Sequence, residues 1–401
     1  MGTRTLKYNS SMLSERTSWK LAQNRLTKQL ESLRRRGSRI LDLTVSNPTR
    51  VGLQYDAPAI LSELSSSQAL DYDPQPKGLL PARESVAEYY RSDHKASDLD
   101  PERIVLTTST SEGYSYVFRL LCNPGDELLV PKPSYPLFEF LADLQDVKLV
   151  PYPLIYDHGW QIDFHSLERA VTPRTRGVVV VHPNNPTGSY IQPAEMRILN
   201  AVCRDRGLSL IVDEVFLDYT LDAATHVTFA ANADVLTFTL SGLSKISALP
   251  QMKVAWVVTS GPADEVATAM ARLEVIADTY LSMNAPLQWA LPVLLEQRWS
   301  IQKQLLDRVH SNLADLDGQL ASQKSCDRLR IEGGWYAVLR VPVIRSDEDL
   351  CVELLRRESV LVHPGHFYDF PRDGYLVLSL ITREAEFREG TARVLAMVDA
   401  V

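Results

Sequence analysis

Four short segments carry residues able to act together, each closing an apolar run. Lys245 ends SGLSK, residues 241–245, after the run VLTFTL. An amine placed behind an apolar strand and small residues loses hydration. Desolvated, or near another cation, it drops in pKa and becomes a nucleophile. For a single lysine an exposed strand end is the commoner reading. Asp213, in IVDEVF (211–216), follows Leu210, Ile211 and Val212. A carboxylate there requires a positive partner. A protonated pyridine nitrogen would serve, and the acid would keep the ring electron-withdrawing toward a substrate carbanion. A helix cap or a structural ion pair is the plainer alternative. Asn185, in HPNNPTG (182–188), has an amide that can donate to a phenolate oxygen, with Pro186 and Gly188 shaping the turn. An ordinary Asn-Pro loop competes with that role. In TTSTSEG (107–113), Ser109, Thr110 and Ser111 offer hydroxyls and N–H groups at a helix start, a phosphate cradle or simple Ser/Thr capping.

These segments sit in an alternating pattern. Helical stretches such as LLPARESVAEYYRSD, SEGYSYVFRLLC and AEMRILNAVCRDRG separate short apolar runs: RIVLTT, DELLVP, VKLVPYPL, RGVVVV, LSLIVD and DVLTFTLSG. Such alternation predicts an α/β fold, a large domain with a mainly parallel sheet flanked by helices. Ligands in such sheets bind at the carboxyl ends of strands, where Thr107, Asn185, Asp213 and Lys245 all fall. Helical spacing predicts one N-terminal helix over residues 13–36, closed by Arg34 to Arg36 and Gly37. A long helical stretch over 262–316 leads to a smaller α+β domain with GGWYAVLRVP, ESVLVHPG and DGYLVLSL as strands and a last helix from Glu384 to about Val398. The expected division is an arm and helix at 1–50, a large domain at 51–290 and a small domain at 291–401.

Composition narrows the function. A chain of 401 residues, 45% hydrophobic, is long enough for one large and one smaller core. Its net charge of −8 argues against a nucleic-acid partner. No apolar run approaches the ~20 residues of a membrane span, and the N-terminus lacks a signal-peptide core. Cys122, Cys203, Cys326 and Cys351 form no CxxC pair, so no metal site is expected, and free thiols in a reducing cytoplasm are the simplest reading.

Taken in order, the four segments resemble the fold-type I, class I/II aminotransferases, which use pyridoxal 5′-phosphate. The resemblance runs from about Ile40 to Val398. YDPQPKGLLPAR (72–83), CNPGDELLVPKPSYP (122–136), SGLSK with Lys253, and HPGHF (363–367) are similar to further family segments. It implies a fold of the PLP transferase type and a role for each matching residue. Lys245 matches the Schiff-base lysine and proton shuttle, Asp213 the pyridine-nitrogen partner and Asn185 the ring-oxygen partner. Tyr135 matches the stacking aromatic. Ser109, Thr110, Ser111, Ser244 and Lys253 match phosphate-side positions. Tyr72 matches the tyrosine that reaches the partner subunit's phosphate, which implies a homodimer with shared sites and an N-terminal arm clasping the neighbour.

Three departures bear on chemistry. Lys253 stands where an arginine is usual and loses the bidentate fork. Phe216 replaces a tyrosine, so a hydrogen bond to the cofactor's ring oxygen is missing and the imine's pKa should rise. Val377, in GYLVLS, stands where an arginine usually grips the substrate carboxylate, and Ser46 and Asn47 in SNPT replace the early Gly-containing turn. Either another cation, Arg383 or Arg372, takes the carboxylate, or the substrate is an amine or a modified acid, or the small domain aligns in another register. Trp335, Tyr336, His182, His363 and His366 are candidate pocket residues with packing as the alternative. The expected activity is transfer of an amino group from an amino donor to a keto or aldehyde acceptor. A lyase, decarboxylase or racemase on the same scaffold is the alternative, and a non-catalytic regulatory protein is a weaker one.

Overall fold

The computed structural model describes residues 12–19, 21–96, 99–136, 138–222, 226–281 and 283–400. Its strands in chain order are β1 Leu41–Asp42, β2 Ile104–Thr107, β3 Glu127–Lys132, β4 Lys148–Tyr156, β5 Trp160–Ile162, β6 Thr175–Val181, β7 Ser209–Asp213, β8 Thr237–Gly242, β9 Ala255–Ser260, β10 Asp327–Arg328, β11 Tyr336–Arg340, β12 Val360–Leu361, β13 His363–Pro364 and β14 Tyr375–Ser379. Eight form one sheet in the order β2-β9-β8-β7-β6-β3-β4-β5. Within it β8, β7, β6, β3 and β4 run parallel. The run AWVVTS, which the alternation did not single out, becomes β9 and lies antiparallel between β2 and β8.

The strands read as unbroken apolar runs because both faces of the sheet are covered. Successive side chains point to opposite faces. Val178, Val180, Leu210 and Val212 pack with Leu199 and Cys203 of the helix Pro193–Arg206. Val179, Ile211, Phe238 and Leu240 pack on the other side with Val117 and Phe118 of the helix Thr110–Leu121 and with Leu273 of the helix Ala263–Thr279. Each such burial contributes roughly 1.5–3 kcal/mol. Two covered faces leave the strand ends as the place where polar groups can meet a ligand.

A second sheet, antiparallel, has the order β10-β11-β14-β13. It shares one apolar cluster with Ile301, Leu305 and Val309 of the helix Arg298–Leu320, Leu354 of Asp347–Glu358, and Phe387 and Val394 of Glu384–Asp399. Leu26 and Leu33 join that cluster, and β1 pairs in parallel with β12.

Two helix expectations are corrected. The N-terminal helix spans Arg25–Arg35, not 13–36, because the Asn24 side chain caps it by accepting from Thr27 N. Leu21, expected in line with Leu26, is exposed. The stretch 262–316 is three helices, Ala263–Thr279, Ala285–Glu296 and Arg298–Leu320. Leu281 takes a left-handed φ of 65°, and Asn284 caps a new start with proline in its first turn. No helix among the described residues is long and apolar enough to cross a membrane.

Candidate functional site

The centre of the site lies where β7 and β8 end. Asp213 is the last residue of β7 and pairs with Leu240 of β8. Lys245 follows β8 on the one-turn helix Leu243–Ile246. Its Nζ lies 4.8 Å from the centroid of the Trp335 ring and 5.3 Å from that of Phe216. The Asp213 carboxylate is held at both oxygens: Tyr114 donates its hydroxyl to Oδ2 at 3.1 Å, and Val215 N donates to Oδ1 at 3.1 Å. Burial pushes the Asp213 carboxyl up to about 6, against the pull of Val215 N, Tyr114 and the Lys245 charge. Burial brings the Lys245 amine down to about 8, with Asp213 opposing. The pair therefore sits in a poorly solvated place where both charges are strained toward neutrality.

The turn after β6 begins beside this pair, since His182 N donates to Asp213 O at 2.8 Å. Asn184 fastens the turn: its Nδ2 donates to Pro133 O at 3.1 Å and to Thr187 Oγ1 at 2.9 Å, and its Oδ1 accepts from Ser134 Oγ at 3.0 Å. That bond brings the loop of Tyr135 alongside. Gly188 has a φ of +68°, and a Cβ there would stand 2.4 Å from Gly333 O, so only glycine lets the turn dock two residues before Trp335. Asn185, by contrast, is nine-tenths buried and its Oδ1 has no hydrogen-bond partner. Such a group costs about 1–3 kcal/mol unless a ligand supplies its partner.

The third strand end is β2. Ser109 Oγ accepts from Glu112 N at 3.2 Å, capping the helix Thr110–Leu121. The Glu112 carboxylate turns back onto Thr108 N and Thr108 Oγ1, at 2.7 and 3.0 Å. Among the described residues no hydrogen bond occupies the N–H groups of Thr110 and Ser111. They are free donors at the positive end of a helix.

The other expected residues differ in their surroundings. Tyr72 is 80% exposed and Tyr135 46%. Ser244 is half-buried, and Lys253 is exposed with a left-handed φ of 53°. Asn47 uses its Oδ1 to accept from Thr49 N and Thr49 Oγ1, and Ser46 is exposed beside it. Arg383 is exposed and forms no ion pair among the described residues; its guanidinium stands 3.6 Å from where a Cβ of Gly52 would be. Val377 is 1% exposed, paired with Val338 on one side and His363 on the other. His182 is fully internal: Nδ1 accepts from Ile191 N at 3.0 Å, Nε2 faces Val227 O at 3.2 Å, and burial drives its pKa down to about 3. It is a packing histidine. Trp335 is fully buried against Phe216, at a ring distance of 5.1 Å.

Several residues that bear on the site had no marker in the sequence reading. Tyr114 holds Asp213. Tyr219 donates its hydroxyl to Lys245 O at 2.6 Å, Gln302 Nε2 donates to Ile246 O at 2.9 Å, and Tyr55 donates to Ala248 O at 2.9 Å. Tyr114 lies one helical turn past the cradle, a spacing that could have raised it; Gln302 and Tyr55 carry no local signal. Among the described residues no group of three or more His, Cys, Asp or Glu could hold a metal ion.

The chain is similar to known proteins over most of its length. Residues 38–386 match the family model described as aminotransferase class I and II. The chain is similar to the glutamate-pyruvate aminotransferase AlaA of Escherichia coli, 28% identical over 363 residues and covering 86% of each chain. It is 30% identical over 359 residues to the alanine aminotransferase of Mycobacterium tuberculosis, covering 85% of this chain and 81% of that one. Among solved structures, the alanine aminotransferase from Pyrococcus furiosus superposes with a TM-score of 0.86 at 20% identity, over 94% of this chain and 96% of that one.

Proposed function

The chain belongs to the class I and II aminotransferases, and from that premise we propose that Lys245 anchors the cofactor and moves the proton in amino-group transfer. It is a pyridoxal-phosphate-dependent enzyme, a transferase. The observation that carries the residue assignment is the half-buried Asp213–Lys245 pair, with the orphaned Asn185 amide oxygen on the turn that His182 N ties to Asp213 O. These residues fit the cofactor: the orphaned Asn185 Oδ1 suits a ring hydroxyl that donates to it, the half-buried carboxylate suits a ring N–H⁺, and the free N–H groups of Thr110 and Ser111 suit a phosphate.

When bound, pyridoxal phosphate supplies an aldehyde that condenses with amines and an electron-withdrawing ring. Everything else is done by the chain. Tyr114 and Val215 N aim the Asp213 carboxylate and keep it ionised against its burial. Ser109, Thr110, Ser111, Ser244 and Lys253 hold the phosphate, and Tyr135 covers the ring from the loop that Asn184 fastens. Phe216 offers a wall without a hydrogen bond. Lys245, brought down to about 8 by burial, keeps a neutral fraction of roughly a tenth at pH 7, far more than an ordinary lysine, which suits an amine that must accept and return a proton. Val377 brings no charge, so we assign the donor's carboxylate to Arg383, with Ser46 and Asn47 on the loop that leads to Gly52. The relatives' names make alanine and glutamate the first donors to test, with a keto acid as acceptor.

We further propose a homodimer with shared sites, in which the exposed Tyr72 reaches the neighbour's phosphate, and a division at residues 51–290 and 291–401 with 1–50 joined to the smaller unit. Four free cysteines suit a cytoplasmic setting. The purified protein should be yellow, should bleach when given alanine or glutamate alone, and should recover with a keto acid. In Lys245→Ala the band and its bleaching should be lost as a covalent property of that position. A band still attached through Lys245→Ala, or release of ammonia without an acceptor, would overturn the assignment.

A further inference from the structure

Lys245 has two duties on the reading above, and this inference rests on that reading. It carries the cofactor, and once the amino donor has taken its place its free amine must stay where the proton is exchanged. A flexible four-carbon stem does not stay put by itself. The one-turn helix Leu243–Ile246 that bears it is too short to be rigid alone. Its carbonyl end is instead tied down by side chains from three distant segments. Tyr219 donates to Lys245 O at 2.6 Å, Gln302 to Ile246 O at 2.9 Å, and Tyr55 to Ala248 O at 2.9 Å. Ala248 itself has a left-handed φ of 50°, so the chain turns sharply there and these ties hold a bent backbone.

The amine end is bounded by aromatic rings. Nζ stands 4.8 Å from the Trp335 centroid and 5.3 Å from that of Phe216. Trp335 meets Phe216 edge-on at 5.1 Å and 73°, and Tyr219 at 4.9 Å and 74°. Gly334 N donates to Tyr219 O at 2.8 Å, and Leu380 N to Trp335 O at 2.7 Å, so the backbone that carries Trp335 is held while Phe216 and Tyr219 pack on its ring. An ammonium over the face of tryptophan is attracted by its quadrupole, more so than over phenylalanine and more so when desolvated.

We propose that Tyr219, Trp335 and Phe216 form a seat for the Lys245 amine, Tyr219 fixing the backbone beneath it and the two ring faces holding it in place beside Asp213 as the ammonium it becomes on accepting the proton. All three are positioning residues for the proton transfer that Lys245 performs. The seat acts on the ammonium, so it predicts a sign. Removing the Trp335 face removes an attraction to the charged form, and the amine's pKa falls. If Trp335 were only filling space, its removal would admit water, and the pKa would rise toward the ordinary lysine value.

The test uses holoenzyme converted by an amino donor to the form in which Lys245 is free. Acylation of Lys245 by acetic anhydride is followed against pH by peptide mass spectrometry. Trp335→Leu should lower the midpoint by about one unit, a roughly tenfold larger neutral fraction at a fixed pH below the midpoint. Trp335→Phe should restore most of it. Tyr219→Phe should leave the midpoint unchanged while slowing the donor half-reaction about tenfold, as expected for one lost hydrogen bond to the backbone. Should Trp335→Leu fail to fold, Phe216→Leu should move the midpoint the same way by less. An unchanged or raised midpoint in the folded leucine variants, or a Trp335→Phe variant shifted as far as Trp335→Leu, overturns the seat. Those outcomes leave the loss of the covalent band in Lys245→Ala untouched, so failure of the seat and failure of the cofactor assignment are separable.

Discussion

The Asp213→Asn variant should make the cofactor-free protein more stable and the loaded enzyme worse. The Asp213 carboxyl is raised from 3.8 to about 6 by burial. A shift of about two units corresponds to roughly 3 kcal/mol of preference for the neutral acid in the folded state. Because the folded pKa is the higher one, the cost is absent below about pH 3.8, grows between pH 3.8 and about 6, and is fully present above. Asparagine keeps the shape and removes the charge. Lost attraction to Lys245 offsets part of the gain, so about 3 kcal/mol is an upper bound. Glu214, pushed up to about 7 chiefly by burial, destabilises with the same sign, and because the Asp213 charge adds to that rise the asparagine relieves it slightly in the same direction. The assay is urea unfolding of cofactor-free parent and variant at pH 4 and pH 7.5. The difference between them should widen by about 1–3 kcal/mol in the variant's favour at the higher pH. In the loaded form the order should invert, with cofactor dissociation about tenfold or more easier in the variant, because a charge-assisted hydrogen bond to the ring is lost. A difference in stability independent of pH, or undiminished cofactor affinity, would refute the picture of a carboxylate held at a cost for a cationic partner.

Three further outcomes follow from the same geometry. Arg383→Ala should raise KM for alanine or glutamate at least tenfold with little change in kcat, the loss of a charged contact worth about 1.5–3 kcal/mol, and should leave amine donors unaffected; steady-state kinetics on both donor classes decides it. Phe216→Tyr should lower the pH midpoint of the visible cofactor band by about one unit, since a phenol donating to the ring oxygen favours the deprotonated form, and a spectrophotometric titration that finds no shift places that ring away from the oxygen. Gly188→Ala should destabilise by more than about 2 kcal/mol, seen as a fall in Tm, because its φ of +68° is strained for alanine and its Cβ would meet Gly333 O at 2.4 Å.

The sequence announced the large sheet well, and for a physical reason. Runs such as Val178–Val181 and Leu210–Val212 are apolar at every position because both faces are covered, so their ends are abrupt and Asp213 and Lys245 stand out against them. The turn at Asn185 was legible because proline and glycine mark it. Less legible were boundaries that depend on one side chain: Asn24 decides where the first helix starts, and the leucine spacing upstream is compatible with a helix that does not form. The supporting residues were not legible. Tyr114 and Asp213 are 99 positions apart, and Gln302 lies 56 positions from the carbonyl it binds, so no local pattern relates them. A tyrosine or glutamine inside a helix also reads as an ordinary surface or packing residue until its partner is known.

The site gathers unfinished bonding at neighbouring strand ends. Many polar groups elsewhere close on one another, as Asn312 does by donating to both Leu380 O and Thr382 O. At the ends of β2 and β6 two helix-terminal N–H groups and an amide oxygen remain without partners, and at the end of β7 a carboxylate is held with burial opposing its charge, each at a cost of order 1–3 kcal/mol. A protein of ordinary stability can carry only a few such costs. Their signs are complementary to one molecule with a hydroxyl-bearing ring, a basic ring nitrogen and a phosphate, so the free energy withheld from folding is available to binding. It should reappear as ligand-dependent stability: cofactor at about a hundred times its Kd should add about 2.7 kcal/mol to unfolding. The four contacts are spread over three strand ends, and only the folded sheet brings them together.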